Sequence, residues 1–87
     1  MSIETSLELK DTVEGMTSPD YKERFKAEYD QLSIRMHKLG VILIKWSKDE
    51  LDFAPTCSYD LLERQHAAMT DYLAILEERA QIEGIEL

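Results

Sequence analysis

The 87-residue sequence predicts an all-α protein, in which two long antiparallel helices form a helical hairpin with a short N-terminal arm or helix beside them. Two long stretches carry apolar residues at helical spacing, and a short proline-containing segment separates them. The chain holds only 3 glycines and 2 prolines, so few breaks are expected. Hydrophobic residues at 44% and charged residues at 32% are typical of a folded chain. We therefore assign residues 1–17 to the arm and residues 18–87 to the hairpin domain.

The N-terminal arm has the periodicity of a strand. Ile3, Leu7 and Leu9 alternate with polar residues. A single strand would have no partner within this chain, and its backbone groups would stay unpaired. A short helix or ordered arm packed on the hairpin is therefore favoured over a strand that pairs with another copy.

The first long helix is predicted over about residues 19–48. Ser18 followed by Pro19 fits an N-cap with proline at the first helical position. Gly40 lies inside this helix and would permit close approach by another helix. The apolar positions are spaced 4, 3, 4, 3, 4 and 3 residues apart, which is a heptad seam: Phe25, Tyr29, Leu32, Met36, Leu39, Leu43 and Trp46.

A loop is predicted over about residues 49–57, and its sequence includes LDFAPTC. It is short enough to make the two helices antiparallel. Pro55 biases the preceding residue away from helix and so limits where the second helix begins. Leu51 and Phe53 are expected to close the apolar end of the hairpin next to Trp46.

The second long helix is predicted over about residues 58–83, with Thr56 or Ser58 as its cap and Gly84 at its end. Its apolar residues form two adjacent stripes, which one partner helix cannot cover. The first helix also has apolar residues away from its seam. We therefore expect further helices from other copies, in a homo-oligomeric helical bundle. The two stripes are Leu62, His66, Met69, Leu73, Leu76 and Ala80, and Leu61, Ala68, Tyr72, Ile75 and Ile82.

Catalysis and metal binding find no support in the sequence. There is no Gly-rich phosphate loop, nucleophile elbow or HExxH motif. Cys57, His37 and His66 are too few for a zinc site. We expect a protein that is not an enzyme and that needs no metal or other cofactor. No run of about 18 apolar residues suggests a membrane span, and the N-terminus lacks the features of a signal peptide, so a cytoplasmic location is expected.

The net charge of −8 is unevenly distributed along the chain. Residues 1–20 carry one base and five acids, residues 21–48 seven bases and three acids, and residues 49–87 two bases and ten acids. A basic first helix thus lies between two acidic segments. Long nucleic acid binds through a basic surface that displaces counterions, so we do not expect it as a partner.

One flank of the first helix forms a basic stripe, which consists of Arg24, Arg35, Lys38 and Lys45, with Tyr21 and Lys22 at its start. Two interpretations remain open. The bases either pair with the acids of the second helix and of the N-terminus, or form a ligand site in which they hold a phosphate and the tyrosine stacks on a base. Thr56 and the free N–H groups at the start of the second helix face the region of Lys45, which suggests a secondary anion site beside their capping role.

Two segments, SPDYKERFKAEYDQLSIRMHKL and LDFAPTCSYDLLERQHAAMTDYLAILEERAQIEGIEL, resemble a family of short phage and prophage helical-hairpin proteins. The resemblance covers roughly residues 18–87 and is most specific in the loop and second helix. The hairpin is also similar to that of viral sponges, which oligomerise and sequester the cyclic nucleotide signals of bacterial CBASS or Thoeris defence. Those sponges hold the ligand with an aromatic residue just before or at the start of the first helix and with basic residues on the hairpin and at chain–chain contacts. The resemblance implies such roles for Tyr21, Lys22 and Arg24, with Arg35 and Lys38 further along.

These observations favour a phage-encoded, homo-oligomeric binding protein of the host bacterial cytoplasm, which sequesters a small phosphorylated nucleotide. The alternative is an acidic helical protein that binds a host protein, for example as a DNA mimic or anti-defence adaptor. The ten acids of residues 49–87 favour that alternative.

Overall fold

The protein is a helical hairpin with a short helical segment packed along it, in a computed structural model that describes residues 7–87. The elements are a 3₁₀ helix Leu9–Thr12 and three α-helices, α1 Val13–Met16, α2 Tyr21–Ser47 and α3 Tyr59–Glu83. The two long helices pack against each other, and the described residues contain no strand. The predicted all-α class and both long helices are confirmed, whereas assembly into a homo-oligomer stays a prediction. None of the described helices is long and apolar enough to cross a membrane.

The start of α2 differs from the predicted cap by two residues. Asp20 is the N-cap, and its carboxylate accepts the backbone N–H of Lys22 at 3.0 Å. Ser18 lies in the turn before the helix, where its hydroxyl accepts the N–H of Asp20 and donates to Glu23 at 2.9 Å. Ser18 was therefore wrong as the cap, because a second capping side chain stands nearer the first helical turn.

Both ends of α3 follow from local chemistry. The Ser58 hydroxyl accepts the N–H of Leu61 at 3.1 Å and caps the N-terminus. Gly84 adopts the left-handed conformation with φ 71°, which glycine reaches without a steric penalty. The N–H of Ile85 then bonds the Ala80 carbonyl at 2.9 Å, and the Ile85 side chain folds back into the core. Gly84 as the end of the helix is confirmed.

The core lies between α2 and α3. Leu76 is 1% exposed and is its most deeply buried large side chain. Phe25 and Leu32 of the predicted seam are buried against it. The predicted close approach of another helix at Gly40 is confirmed, because a Cβ atom there would lie only 3.1 Å from Nε2 of His66 on α3. The absent side chain lets the imidazole pack directly on the α2 backbone.

Hydrogen bonds between tyrosines and carboxylates also join the long helices. Tyr72, a residue of the second predicted stripe of α3, is 43% exposed, and its hydroxyl donates to the Glu28 carboxylate on α2. These cross-helix bonds agree with the antiparallel arrangement, since each pairs the N-terminal half of α2 with the C-terminal half of α3. The pairs are Tyr21 with Glu83 at 2.8 Å, Tyr29 with Glu77 at 2.6 Å, and Tyr72 with Glu28.

The N-terminal segment packs on the side of α2. The favoured short helix is confirmed for residues 9–16, while the part of the predicted arm in residues 1–6 lies outside the described residues. A Cβ on Gly15 would stand 3.0 Å from Cβ of Ala27, so the backbones approach closely there. Ala27 and Ile34, which share one face of α2, are both buried. The chain's own N-terminal segment thus covers apolar surface of α2 for which the sequence suggested another copy.

The corner of the hairpin is closed by a residue of α3. The ring of Tyr59 packs edge-on against Trp46 with centroids 5.2 Å apart. Leu51 is half-buried, but Phe53 is 53% exposed and does not close the core. The prediction for Phe53 was wrong, because the first turn of α3 reaches Trp46 before the loop does.

Candidate anion-binding groove

A groove of about 330 Å³ runs between the middle of α2, α3 and the N-terminal 3₁₀ helix. Arg35 and Lys38, two residues of the basic stripe, lie one helical turn apart on α2 and line it together. The amide of Gln65 is the polar group that α3 contributes. The remaining lining residues are apolar and form its floor and walls: Leu9, Leu39, Ile42 and Met69.

The two bases of the groove have no anionic partner among residues 7–87. The ion pairs of this part of the chain are Arg64 with Asp60 at 3.4 Å and Arg79 with Glu83 at 3.2 Å, and both lie within α3. Pairing of the α2 bases with the acids of α3 and of the N-terminus, one of the two sequence-based interpretations, is therefore not found among residues 7–87, and Glu4 lies outside the described residues. Arg35 and Lys38 are exposed cations beside apolar surface.

Tyr21 belongs to a second cluster, at the far end of the hairpin. Its hydroxyl donates to Glu83 at 2.8 Å and accepts from Nη2 of Arg79 at 2.9 Å. The Arg79 guanidinium also lies over the ring of Phe25, 4.9 Å from the centroid. The guanidinium of Arg24 lies 6.0 Å from the centroid of the Tyr21 ring. One aromatic hydroxyl, two guanidinium groups and one carboxylate thus meet at this end.

The hydrogen bond within this cluster shifts both of its acidic groups. The bond to Glu83 raises the pKa of Tyr21, because ionising the phenol would destroy the donor. The same bond lowers the pKa of Glu83, with a further contribution from Arg79. Around neutral pH the cluster therefore holds a neutral phenol, a carboxylate and a guanidinium.

The remaining predicted site residues are dispersed. Arg24 donates to the Ser18 carbonyl at 2.7 Å, and Lys22 is exposed in the first turn of α2. Tyr21 and Arg35 are 14 residues apart on one helix, which is about 21 Å at 1.5 Å per residue. A single chain therefore does not bring the Tyr21 end and the groove together.

Lys45 and Thr56 do not line the groove either. Lys45 lies in the last turn of α2, about one turn beyond Ile42 of the groove, and Thr56 lies in the loop. Both side chains are exposed, and no hydrogen bond joins them in the described structure. Ser58, and not Thr56, provides the capping oxygen of α3.

Sequence reasoning missed Gln65, Met69 and Leu9 as groove residues. Gln65 interrupts an apolar stripe of α3, and that interruption was the available signal. Leu9 comes from the N-terminal segment, whose docking position no periodicity specifies.

A comparison with protein families decides the family. The family model described as Sequestin matches residues 19–82, about three quarters of the chain. The chain belongs to the Sequestin family. The Sequestin match spans nearly all of α2, the loop and nearly all of α3, so it includes Arg35, Lys38 and Gln65. The name denotes sequestration, which agrees with a binding protein and with the suspected relation to viral sponges. No curated protein and no solved structure gives a significant match.

Proposed function

We propose that this Sequestin-family protein is a phage-encoded, non-enzymatic binding protein that sequesters a nucleotide second messenger of bacterial anti-phage defence in the host cytoplasm. The observation that carries the proposal is the groove of α2, where two cations that have no anionic partner among residues 7–87 stand beside an apolar floor. The family name supports sequestration as the mode of action.

The groove offers complementary chemistry to each part of a nucleotide. Arg35 can grip a phosphate through two parallel hydrogen bonds, and Lys38 adds a compact positive charge one turn away. Ile42 and Met69 provide apolar surface for a base or ribose, and the amide of Gln65 can both donate to and accept from the edge of a base. The volume of the groove, about 330 Å³, is at the lower end of the ~300–1,000 Å³ range of small-molecule pockets.

The surrounding charge favours a compact anion over a polymer. All ten acids of residues 49–87 are exposed, so a long nucleic acid that extends beyond the groove over α3 and the loop would meet repulsion. A small ligand contacts only the groove itself.

Calorimetric titration tests the proposal with cyclic di-AMP, cyclic GMP-AMP, cyclic tri-AMP and cyclic ADP-ribose. We expect at least one of these to bind, and we expect Arg35→Gln to raise its Kd roughly 10- to 150-fold, the equivalent of a charge-assisted hydrogen bond of about 1.5–3 kcal/mol. Lys48→Gln is the matched control, because Lys48 is exposed at the end of α2 and outside the groove. No heat with any probe at millimolar concentration, or equal effects of the two variants, would sink the proposal.

The exposed acids of α3 and the loop support a second candidate, an acidic protein that binds a host protein. A pull-down from bacterial lysate distinguishes the two. Recovery of one stoichiometric host protein by a preparation that binds none of the four nucleotides would favour this second function.

A further inference from the structure

A second pocket lies between the C-terminal part of α2 and the N-terminal part of α3, near the corner of the hairpin. This corner pocket has a volume of about 300 Å³. Three polar residues of α3 line it, and their spacing of four and three residues places them on one face of the helix: Tyr59, Glu63 and His66. The corner pocket shares no lining residue with the groove of Arg35 and Lys38. It is therefore separate from the site proposed for the nucleotide.

The α2 side of the corner pocket is largely apolar. Leu43 is buried there, and Ile44 is 56% exposed beside it. Gly40 leaves space between the two helices, since a Cβ atom at that position would lie 3.1 Å from Nε2 of His66. The pocket thus offers apolar surface on α2 to one part of a ligand and polar groups on α3 to another part.

The carboxylate of Glu63 decides which charge the corner pocket accepts. None of the described residues that line the pocket is Lys or Arg, and Glu63 has no cationic partner among residues 7–87. Arg64, the base next to it in sequence, pairs instead with Asp60 at 3.4 Å. The stretch of residues 47–66 carries two bases and five acids, so the surrounding field is also negative. The pocket therefore attracts a cation.

The hydroxyl groups of the corner pocket suit a ligand that donates hydrogen bonds. The Ser47 hydroxyl lines the pocket and donates to the Ile44 carbonyl at 2.8 Å, which leaves its lone pairs free to accept. The ring of Tyr59 is held edge-on against Trp46 with centroids 5.2 Å apart, and its hydroxyl can also accept. An ammonium group carries three N–H donors and no acceptor. It therefore matches a carboxylate that has hydroxyl oxygens beside it.

We propose that the corner pocket binds a small organic cation, in which a primary ammonium group is attached to an apolar body. The ammonium group is held by the Glu63 carboxylate and by the hydroxyl oxygens of Ser47 and Tyr59. The apolar body packs on Leu43 and Ile44. This site stands on the shape and charge of the pocket, and it does not depend on nucleotide binding by the groove.

Two other classes of ligand fit the corner pocket less well. Within the part of the chain that the structure describes, no group of three His, Cys, Asp or Glu side chains could hold a metal ion. A phosphate would meet the unpaired carboxylate of Glu63, with no Lys or Arg in the described lining to offset it. An organic ammonium ion satisfies both the carboxylate of α3 and the apolar surface of α2.

Two-dimensional NMR with phenethylammonium chloride as the probe tests this site. We expect saturable shifts, at millimolar probe, of the Gly40 amide, the methyl groups of Leu43 and Ile44, and the ring protons of His66. Phenethyl alcohol and phenylacetate carry the same apolar body with a neutral and a negative head group, and methylammonium carries the charge without the body. Each of these three should bind about 5-fold more weakly or worse. Equal binding of phenethyl alcohol, or no saturable shift with phenethylammonium up to tens of millimolar, would overturn the proposal.

Replacement of Glu63 distinguishes the site from general attraction of cations to an acidic chain. Glu63→Gln should raise the Kd of phenethylammonium about 5-fold or more, which is the upper end of the effect of an exposed ion pair. Glu78→Gln is the matched control, because it removes the same charge from an exposed position of α3 outside the pocket, and it should leave the Kd nearly unchanged. Circular dichroism checks that both variants are folded. Equal effects of the two substitutions would overturn the site.

The outcomes separate the corner pocket from the proposed function. A chain that binds phenethylammonium but none of the four nucleotides would refute the function and leave the corner pocket standing. A chain that binds a nucleotide but not phenethylammonium would refute the corner pocket and leave the function standing. If it binds both, saturation with the nucleotide should not displace phenethylammonium, because the groove and the corner pocket share no lining residue. Displacement would refute the separate site.

Discussion

The contact between Gly40 and His66 allows a quantitative test of how α2 and α3 pack. Replacement of glycine by alanine inside a helix normally stabilises it by about 1 kcal/mol, which would raise the Tm of a domain of this size by about 4–8 °C. Here the new Cβ would stand 3.1 Å from Nε2 and 3.6 Å from Cδ2 of His66. The first distance is a few tenths of an ångström too short, so the imidazole or α3 must move. Overpacking of this kind costs about 1–3 kcal/mol.

We therefore expect Gly40→Ala to leave the free energy of unfolding unchanged or to lower it. In a His66→Ala background the obstacle is gone, and the same substitution should raise that free energy by about 1 kcal/mol. The two single variants and the double variant thus form a cycle with a coupling energy of at least about 1 kcal/mol.

Urea denaturation followed by circular dichroism measures all four proteins. The protein concentration must be equal throughout, because association of copies would add to apparent stability. If Gly40→Ala stabilised both backgrounds by the same amount, the close approach of His66 to the α2 backbone would be refuted.

Two further predictions concern the ends of the hairpin. Ser58→Ala should lower the free energy of unfolding by about 0.5–2 kcal/mol, because it removes the hydroxyl that accepts the N–H of Leu61 and caps α3. Thr56→Ala should change that free energy little. Equal losses in urea denaturation would contradict the assignment of Ser58 as the cap. The pKa of Glu83 is lowered in the folded protein, so its contribution to stability is present above the unfolded pKa near 4.5 and is lost as pH falls through the folded pKa. The pKa of Tyr21 is raised, so its contribution to stability is lost as pH rises through the folded pKa, which lies above 10. Tyr21→Phe should reduce the acidic and the alkaline loss, as measured by Tm between pH 3 and 11, while Tyr72, whose pKa is raised by its bond to Glu28, keeps its own share of the alkaline loss. An unchanged profile would show that the bond to Glu83 is not formed in solution.

The sequence predicted the long helices well because their limits depend on local chemistry. Gly84 ended α3 as expected, since only a left-handed residue lets Ile85 return to the core. Ser18 and Asp20 both had the chemistry of a cap, and sequence alone could not rank them. The prediction that Phe53 closes the core was wrong for a different reason. Its burial depended on whether Tyr59, in the first turn of α3, would reach Trp46.

Only part of the lining of the groove could be predicted from the sequence. Arg35 and Lys38 share one face of one helix, and spacing along the sequence was enough to place them together. Gln65 and Leu9 reach the groove from other elements. Their positions depend on the register between α2 and α3 and on the docking of the N-terminal segment, and neither is specified by a local pattern.

The distribution of charge explains how an acidic chain can hold an anion. The ion pairs among residues 7–87 join residues of α3 to each other, Arg64 to Asp60 and Arg79 to Glu83. Arg35 and Lys38 have no anionic partner in this part of the chain and lie beside apolar surface, where a phosphate gains more from each charge than it would in open water. The same geometry limits the ligand, because a molecule longer than the groove would extend over the exposed carboxylates.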